Sequence, residues 1–392
     1  MKSFDVAIVG AGPAGCSAAI SLHGSDMSVA LIDKSEFPRD KICGDALSPD
    51  VVNQLNMLPL ETGSMFDKFE EKIWCKAVRF VSPNFSHADV SLNQRNITGY
   101  VSPRIDFDQF MFSQAIKSES VTPILGSGIK TIQKHSDGLV IELANGESIK
   151  ADVVLGADGA NSAVARILSE DKMDKNHHCA GLRQYYEGVT GFSEDNAVEL
   201  HFYKDLLPGY FWVFPLPGNR ANVGIGMLSS YVSKRKPNLK KKLKDIIENH
   251  PNIKDRFKDA KALEEVKGFG LPLGSKKRNL SGERYLLLGD AASLINPLSG
   301  EGIANAIRSG RVAADYIKSA AADYSAKSMK AYDREIYRRM WGELRLNYWI
   351  QIAMRNPTLC NFIVKGAIGN ALVQDLVISG FSAEQIRARF KR

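Results

Sequence analysis

The chain has 392 residues, 44% of them hydrophobic and 24% charged, with a formal net charge of +7 at pH 7. That length suits two or three interlocked domains, and the composition excludes a disordered chain. Five cysteines, Cys16, Cys43, Cys75, Cys179 and Cys360, include no Cys-x-x-Cys pair, which argues against a disulfide framework or a thiolate metal cluster and points to reduced thiols.

From the N-terminus, the first apolar run, Phe4 to Val9, reads as a strand. A glycine turn, a helix from Pro13 to about His23 and a second strand from Ser28 to Asp33 follow, completing a βαβ unit. No basic and apolar leader precedes the first strand, so a cytoplasmic location is expected. Gly10, Gly12 and Gly15 permit a tight turn and the close approach of a pyrophosphate, while Pro13 and Ala14 open a helix whose N-terminus stabilises its charge. Asp33 is placed to accept from ribose hydroxyls and disfavours a 2′-phosphate; Lys34 follows it. From about Gly128 to Gly156, alternating runs meet at Asn145-Gly146, a hairpin signal, and the aromatic and β-branched stretch from Cys179 to Met227 reads as sheet. His177, His178 and Cys179 do not suggest a metal site, because neighbouring strand residues face opposite ways and no second ligand cluster exists.

Asn238 can cap a helix carrying Leu239, Leu243, Ile246 and Ile247. The surrounding segment is basic, with Lys234, Arg235, Lys236, Lys240, Lys241, Lys242 and Lys244. A solvated helix face is the plain reading and a surface for anionic lipid or an acidic partner the alternative; without interleaved aromatics, nucleic acid is not expected. Tyr285 to Leu288 is wholly apolar and reads as a buried strand, leading to a long helix from about Gly302. Ser328 to Ile352 places Met329, Tyr332, Ile336, Met340, Leu344 and Tyr348 on roughly one helical face. The apolar stretch from Asn361 to Phe381 contains Lys365, Asn370, Gln374 and Asp375 and so does not read as a membrane span.

Further motifs bear on the chemistry. Arg104 stands three and four residues before Phe107 and Asp108; Gly156-Ala157-Asp158-Gly159-Ala160-Asn161-Ser162 closes one strand; Gly289-Asp290-Ala291-Ala292 closes another, followed by Asn296-Pro297 and by Gly300-Glu301-Gly302, which runs into Ile303. In this order they resemble the flavoprotein superfamily of aromatic hydroxylases and geranylgeranyl reductases. The resemblance implies FAD as cofactor, with Arg104, Asp158 and Gly159 near its phosphates, Asp290 on the ribityl chain, and the helix N-terminus after Gly300 facing the isoalloxazine. One position departs from the pattern: where many members carry Arg three residues after the Ser, this chain has Ala165, with Arg166 next.

Pro38-Arg39-Asp40-Lys41-Ile42-Cys43-Gly44 is similar to the Pro-x-x-Lys-x-Cys-Gly loop of geranylgeranyl reductases, which implies that Lys41, Cys43 and Gly44 approach the flavin. Tyr210-Phe211-Trp212-Val213-Phe214-Pro215 with Val223-Gly224-Ile225-Gly226 is similar to the strand pair that lines their substrate cavity. Flavin-dependent halogenases carry Trp-x-Trp-x-Ile-Pro there, which Tyr210 and Phe214 do not match. On a strand, Tyr210, Trp212 and Phe214 share one face, either as a wall for a flat or long apolar substrate or as the filling of a sheet core. Cys43 could donate a proton after hydride transfer or pack as a small hydrophobe, whereas Cys16 is expected to pack.

The resemblance implies an α/β architecture, α+β overall. A Rossmann-like FAD domain with the βαβ unit (1–73, 101–168 and 277–325) is interleaved with a substrate domain on a mostly antiparallel sheet (74–100 and 169–276), before C-terminal helices (326–392). The expected activity is reduction of carbon–carbon double bonds in a prenyl or other lipophilic substrate, with Cys43, Tyr210 and Trp212 as catalytic candidates and Phe214 and Pro215 added for substrate binding. NADPH, NADH or reduced ferredoxin would supply electrons, and peripheral membrane contact is compatible. The rival activities are flavin-dependent hydroxylation of an aromatic or polyketide-like compound and halogenation.

Overall fold

In the computed structural model, residues 1–92, 97–169, 172–370 and 373–374 are described. Five parallel strands form the centre of an eight-stranded first sheet, in the order Tyr285–Leu287, Ser148–Gly156, Lys2–Val9, Val29–Ile32 and Val121–Ile124, with Ser281–Gly282 antiparallel at the Tyr285–Leu287 edge. Val29–Ile32 and Tyr285–Leu287 are buried throughout, as short apolar runs in a covered parallel sheet must be. An antiparallel hairpin, Ile129–His135 with Gly138–Leu143, attaches to the first half of Ser148–Gly156, and Gly146 in the next turn takes a positive φ of +90°. Helices Pro13–Ser21 and Ile303–Ser319 cross on this sheet at close range. A Cβ on Gly310 would lie 2.0 Å from Ser17 Oγ and 2.2 Å from the Ala14 carbonyl oxygen, so only glycine fits the crossing. Ser17 Oγ donates to the Ile307 carbonyl at 3.0 Å and ties the pair together.

The second sheet runs Lys261–Ala262, His178–Glu187, Arg220–Leu228, Gly209–Leu216, Val198–His201, Ala77–Val81 and His87–Ser91, with Lys267–Pro272 also paired to His178–Glu187. Its pairs are antiparallel except Val198–His201 with Ala77–Val81. Helix Leu239–Asn249 covers one face and buries Leu239, Leu243, Ile246 and Ile247, the residues its periodicity marks; Asn238 caps it by accepting from the Lys241 N–H. Lys242 pairs with Asp205 and Lys244 with Glu248, while Lys234, Lys236, Lys240 and Lys241 are exposed.

Helix Ala326–Ala353 buries Met329, Tyr332, Ile336, Met340 and Leu344 as expected, but Tyr348 is only half-buried. Steps of four residues advance about 400° around a helix, so a run of them drifts off the buried face. The stripe returns through Asn347, Ile350 and Gln351 instead. Helix Arg104–Ala115 and a three-stranded sheet of Ala46–Leu47, Gly99–Val101 and Ile73–Cys75 have no counterpart in the pattern analysis; the strands are too short to show a period. Helix Pro357–Gly366 takes up the start of the late apolar stretch, whose end, like the end of the C-terminal region, lies outside the described residues. No helix among the described residues is long and apolar enough to cross a membrane.

Candidate active site

The glycine motifs meet at the carboxyl ends of the parallel strands, where loops emerge side by side. Gly10, at φ +101°, donates to the Ile32 carbonyl at 2.7 Å, and a Cβ there would lie 2.3 Å from the Ala157 carbonyl oxygen and 2.8 Å from Asp158 Cα. Gly289, at φ +54°, sits against Ala14 and Ala306, and its N–H donates to Ser309 Oγ at 2.9 Å. The βαβ turn, the Asp158-Gly159 loop and the Gly289-Asp290 loop thus border one groove. Both helices that open onto it, Pro13–Ser21 and Ile303–Ser319, have glycine at the N-cap and no side-chain cap. The Gly12, Ala14, Gly302 and Ile303 N–H groups have no hydrogen-bond partner among the described residues, leaving positive helix ends facing the groove. Ile303 itself is buried.

Charged residues edge the same groove. Asp33 accepts from the Ala11 N–H at 2.9 Å and so shapes the turn it follows, while Lys34 is exposed. Arg39 bridges Asp33 at 3.4 Å and Asp108 at 2.8 Å, and Arg104 pairs with Asp108 at 2.7 Å. Burial alone would raise the Asp108 carboxyl, but Arg104, Arg39 and Lys41 hold it below the usual carboxylate range. Lys41 reaches Asp290 at 3.3 Å, which joins the Cys43 loop to the third motif. Asp158 accepts through its carboxylate from Ser162 Oγ and from the Ala163 and Val164 N–H groups, so its side chain caps a helix and its backbone, with Gly159, borders the groove. Arg166 is exposed. The Glu301 carboxyl accepts from the Ala304 N–H at 2.7 Å, and burial pushes it up to about 8, so near neutrality it adds little negative charge to that helix start.

The second sheet supplies the other wall. Tyr210, Trp212 and Phe214 share one face, Tyr210 T-shaped and Phe214 tilted to Trp212, with ring centroids 6.1 and 6.3 Å apart. Gly181, Gly224 and Gly226 lie beside them in register, and a Cβ on Gly224 would fall 2.1 Å from Trp212 Cζ2, so the indole lies flat on a bare backbone. Tyr210 donates its hydroxyl to the Ser299 carbonyl and lies against Gly300; Phe214 and Trp212 lie against Gly44. Burial holds the Tyr210 phenol well above its ordinary range, so it stays protonated. An apolar cavity lies between Tyr210, Trp212, Leu271, Leu298, Gly300 and Met354, with Pro297 also on its wall. Phe214 and Pro215 lie beyond its lining. The Cys43 thiol is half-buried, and the Arg104 guanidinium lies within electrostatic reach of it.

Other candidates fall elsewhere. Cys16 is fully buried and donates to the Ala11 carbonyl, a packing role. His177 and His178 pair separately with Ser275 and Ser229. Sequence reasoning passed over Asp45, Asn222 and Arg183, all fully buried polar residues around the Cys43 loop, and Gln351, which lines the cavity from the C-terminal helix. Only the proximity of Asp45 to the Cys43 motif could have marked it.

Two helix starts with glycine at the N-cap, backbone approaches that only glycine allows, and a carboxylate at the end of the second strand fit a dinucleotide such as FAD. A family model described as FAD binding domain matches residues 3–344. Digeranylgeranylglycerophospholipid reductase 2 of Methanosphaera stadtmanae is 31% identical over 344 residues, covering 85% of this chain and 82% of that protein. Menaquinone reductase of Mycolicibacterium smegmatis is 29% identical over 397 residues, covering 95% and 92%. A geranylgeranyl bacteriochlorophyll reductase-like structure from Thermoplasma acidophilum superposes with a TM-score of 0.83 at 24% identity, covering 100% of this chain and 99% of that one. The flavin-dependent brominase Bmp2 shares the fold at a TM-score of 0.74 and 18% identity, covering 100% and 98%. The chain belongs to the FAD-binding family, in its geranylgeranyl reductase-like branch, and is an FAD-dependent oxidoreductase.

Proposed function

We propose that this enzyme reduces carbon–carbon double bonds in an isoprenoid chain whose reacting segment meets the cavity beside Tyr210 and Trp212. One observation carries the reading: the cavity wall includes Pro297, Leu298 and Gly300 of the third flavin motif as well as the aromatic strand, so an apolar chain there borders the flavin groove directly. The substrates named for the relatives, a menaquinone and a digeranylgeranyl phospholipid, both carry isoprenoid chains.

Bound and reduced, FAD supplies the hydride equivalent. The protein's share is to exclude water, orient the alkene and deliver a proton. Trp212, flat on Gly224, and Tyr210 present apolar ring surface along the cavity. Cys43 is the assigned proton donor, because its half-buried thiol stands on the loop that meets the aromatic wall at Gly44 and the third flavin motif through Lys41 and Asp290. Tyr210 is already committed to the Ser299 carbonyl and fixes the loop after Pro297. In the groove, Gly10, Gly12, Pro13, Ala14 and Gly15 seat the pyrophosphate, Asp33 the ribose, and Lys41 with Asp290 the ribityl region. An external donor, NADPH, NADH or a reduced ferredoxin, provides electrons. Exposed Lys234, Lys236, Lys240 and Lys241 would meet an anionic membrane surface from which such a substrate comes.

Enzyme reduced with dithionite under anaerobic conditions and mixed with polyprenyl alkenes tests this reading. Substrate-dependent return of oxidised flavin absorbance without oxygen supports it. Turnover that occurs only with oxygen would assign a monooxygenase instead.

A further inference from the structure

We propose that Asn222, anchored by Asp45, is a positioning residue that locks the Cys43–Gly44 turn against the cavity tryptophan. The proposal rests on the role assigned to Cys43 above. Asn222 is fully buried, and its single amide group makes three hydrogen bonds to three separate parts of the site. Its Oδ1 accepts from Trp212 Nε1 at 2.9 Å. Its Nδ2 donates to the Cys43 carbonyl at 2.7 Å and to Asp45 Oδ2 at 2.8 Å. Both amide hydrogens are thereby spent, one on the backbone of the thiol residue and one on a carboxylate two positions further along.

The anchor is itself fixed from three sides. Asp45 is fully buried in the left-handed region at φ +68°, where an aspartate is tolerated better than most residues. Its carbonyl accepts from the Ser102 N–H at 3.0 Å, and Tyr185 donates its hydroxyl to the same Oδ2 at 2.7 Å. The Arg183 guanidinium lies over the Tyr185 ring at 3.8 Å and donates to Asp40 at 2.7 Å, gripping the loop a second time. Tyr185, Asn222 and Phe214 stand opposite one another on three adjacent strands, so they share one sheet face. The sheet that carries the aromatic wall therefore also holds the thiol loop, and Asn222 hydrogen-bonds to both. An apolar residue at 222 would leave the Trp212 N–H, the Cys43 carbonyl and the Asp45 carboxylate each short of a buried partner.

Asn222→Asp tests the device with little change in shape. The new carboxyl still accepts from Trp212, but even when it shares a proton with Asp45 it offers at most one hydrogen where the amide offers two, so the Cys43 carbonyl and Asp45 can no longer both be served. The swapped pair Asn222→Asp with Asp45→Asn restores the link between the two side chains, because an amide nitrogen standing where Asp45 Oδ2 stood donates one hydrogen to the carboxylate now at position 222 and the other to the Tyr185 hydroxyl oxygen. Two readouts separate positioning from folding. The first is the alkylation rate of the Cys43 thiol in FAD-loaded protein, located by peptide mass, which needs no substrate. We expect at least about a tenfold increase in N222D and partial return toward wild type in the swapped pair. The second is kcat against KM for isoprenoid reduction, with kcat falling at least about tenfold in N222D at little changed KM and full FAD content. Wild-type alkylation rate and kcat in N222D, or a swapped pair no better than N222D alone, would overturn the proposal. Absence of isoprenoid turnover in the wild type would instead count against the substrate assignment, and the alkylation arm would still decide the role of Asn222.

Discussion

Replacing Asp45 by Asn isolates the cost of one buried charge. The carboxylate is fully buried, its Oδ2 accepts from Tyr185 and Asn222, and its Oδ1 has no partner among the described residues. Burial pushes the group from 3.8 up to about 6, against the opposing pull of Tyr185, Asn222 and Arg183. A raised folded-state value means that the folded protein holds this proton more tightly than the unfolded chain does. The associated stability is therefore fully present below about pH 4 and lost as the pH rises through about 6. Two pKa units correspond to roughly 3 kcal/mol, at about 1.4 kcal/mol each. Asparagine keeps an acceptor toward Tyr185 and Asn222 and tolerates the positive φ; the amide hydrogens it puts at the partnerless Oδ1 position add a cost that does not vary with pH, so the pH-dependent part of the difference isolates the charge. Urea unfolding of FAD-saturated protein from about pH 4 to about pH 8 should show D45N gaining on wild type by up to roughly 3 kcal/mol between the lower end and the upper end. A constant difference across that range, or a D45N protein that loses ground as the pH rises, would refute the assignment of a buried, charged carboxylate.

Three further outcomes follow from the geometry. Gly310→Val forces the crossing helices apart at Ser17 and Ala14 and should cost about 2–3 kcal/mol, seen as a lower Tm together with loss of bound FAD. Arg39→Met removes the cation shared by Asp33 and Asp108; since Arg39 is partly exposed, we expect a loss of about 2 kcal/mol, or nearly thirtyfold in FAD affinity, measured by fluorescence of the released flavin. Cys43→Ser changes the side chain's shape little but supplies a poorer acid, so substrate-dependent flavin reoxidation should slow about 100-fold while FAD content stays at the wild-type level.

The cofactor half of the site is legible in the sequence because its chemistry is carried by backbone. A glycine at position 10 or 289 stands where a side chain would strike another loop, and such constraints leave letters behind. The helix of Leu239, Leu243, Ile246 and Ile247 is legible for a similar reason, since one strong period has one packing solution. The network of Asp45, Asn222, Tyr185 and Arg183 is not. Each of its members is an ordinary polar residue in its own segment, and only strand register brings 185, 222 and 214 abreast. Gln351 and Met354 stayed hidden because a helix remote in sequence closes the cavity. Asp158 shows the converse: the motif is plain, yet its carboxylate serves the local helix start.

The mass of the product formed in one anaerobic turnover tests the central claim most directly. Reduced enzyme mixed with an isoprenoid substrate should give a product that has gained two hydrogens and no oxygen. Repeated in deuterated water, the reaction should leave solvent deuterium on carbon, and this product should form about 100-fold more slowly in Cys43→Ser. A product that forms only in air and gains an oxygen atom would contradict the account.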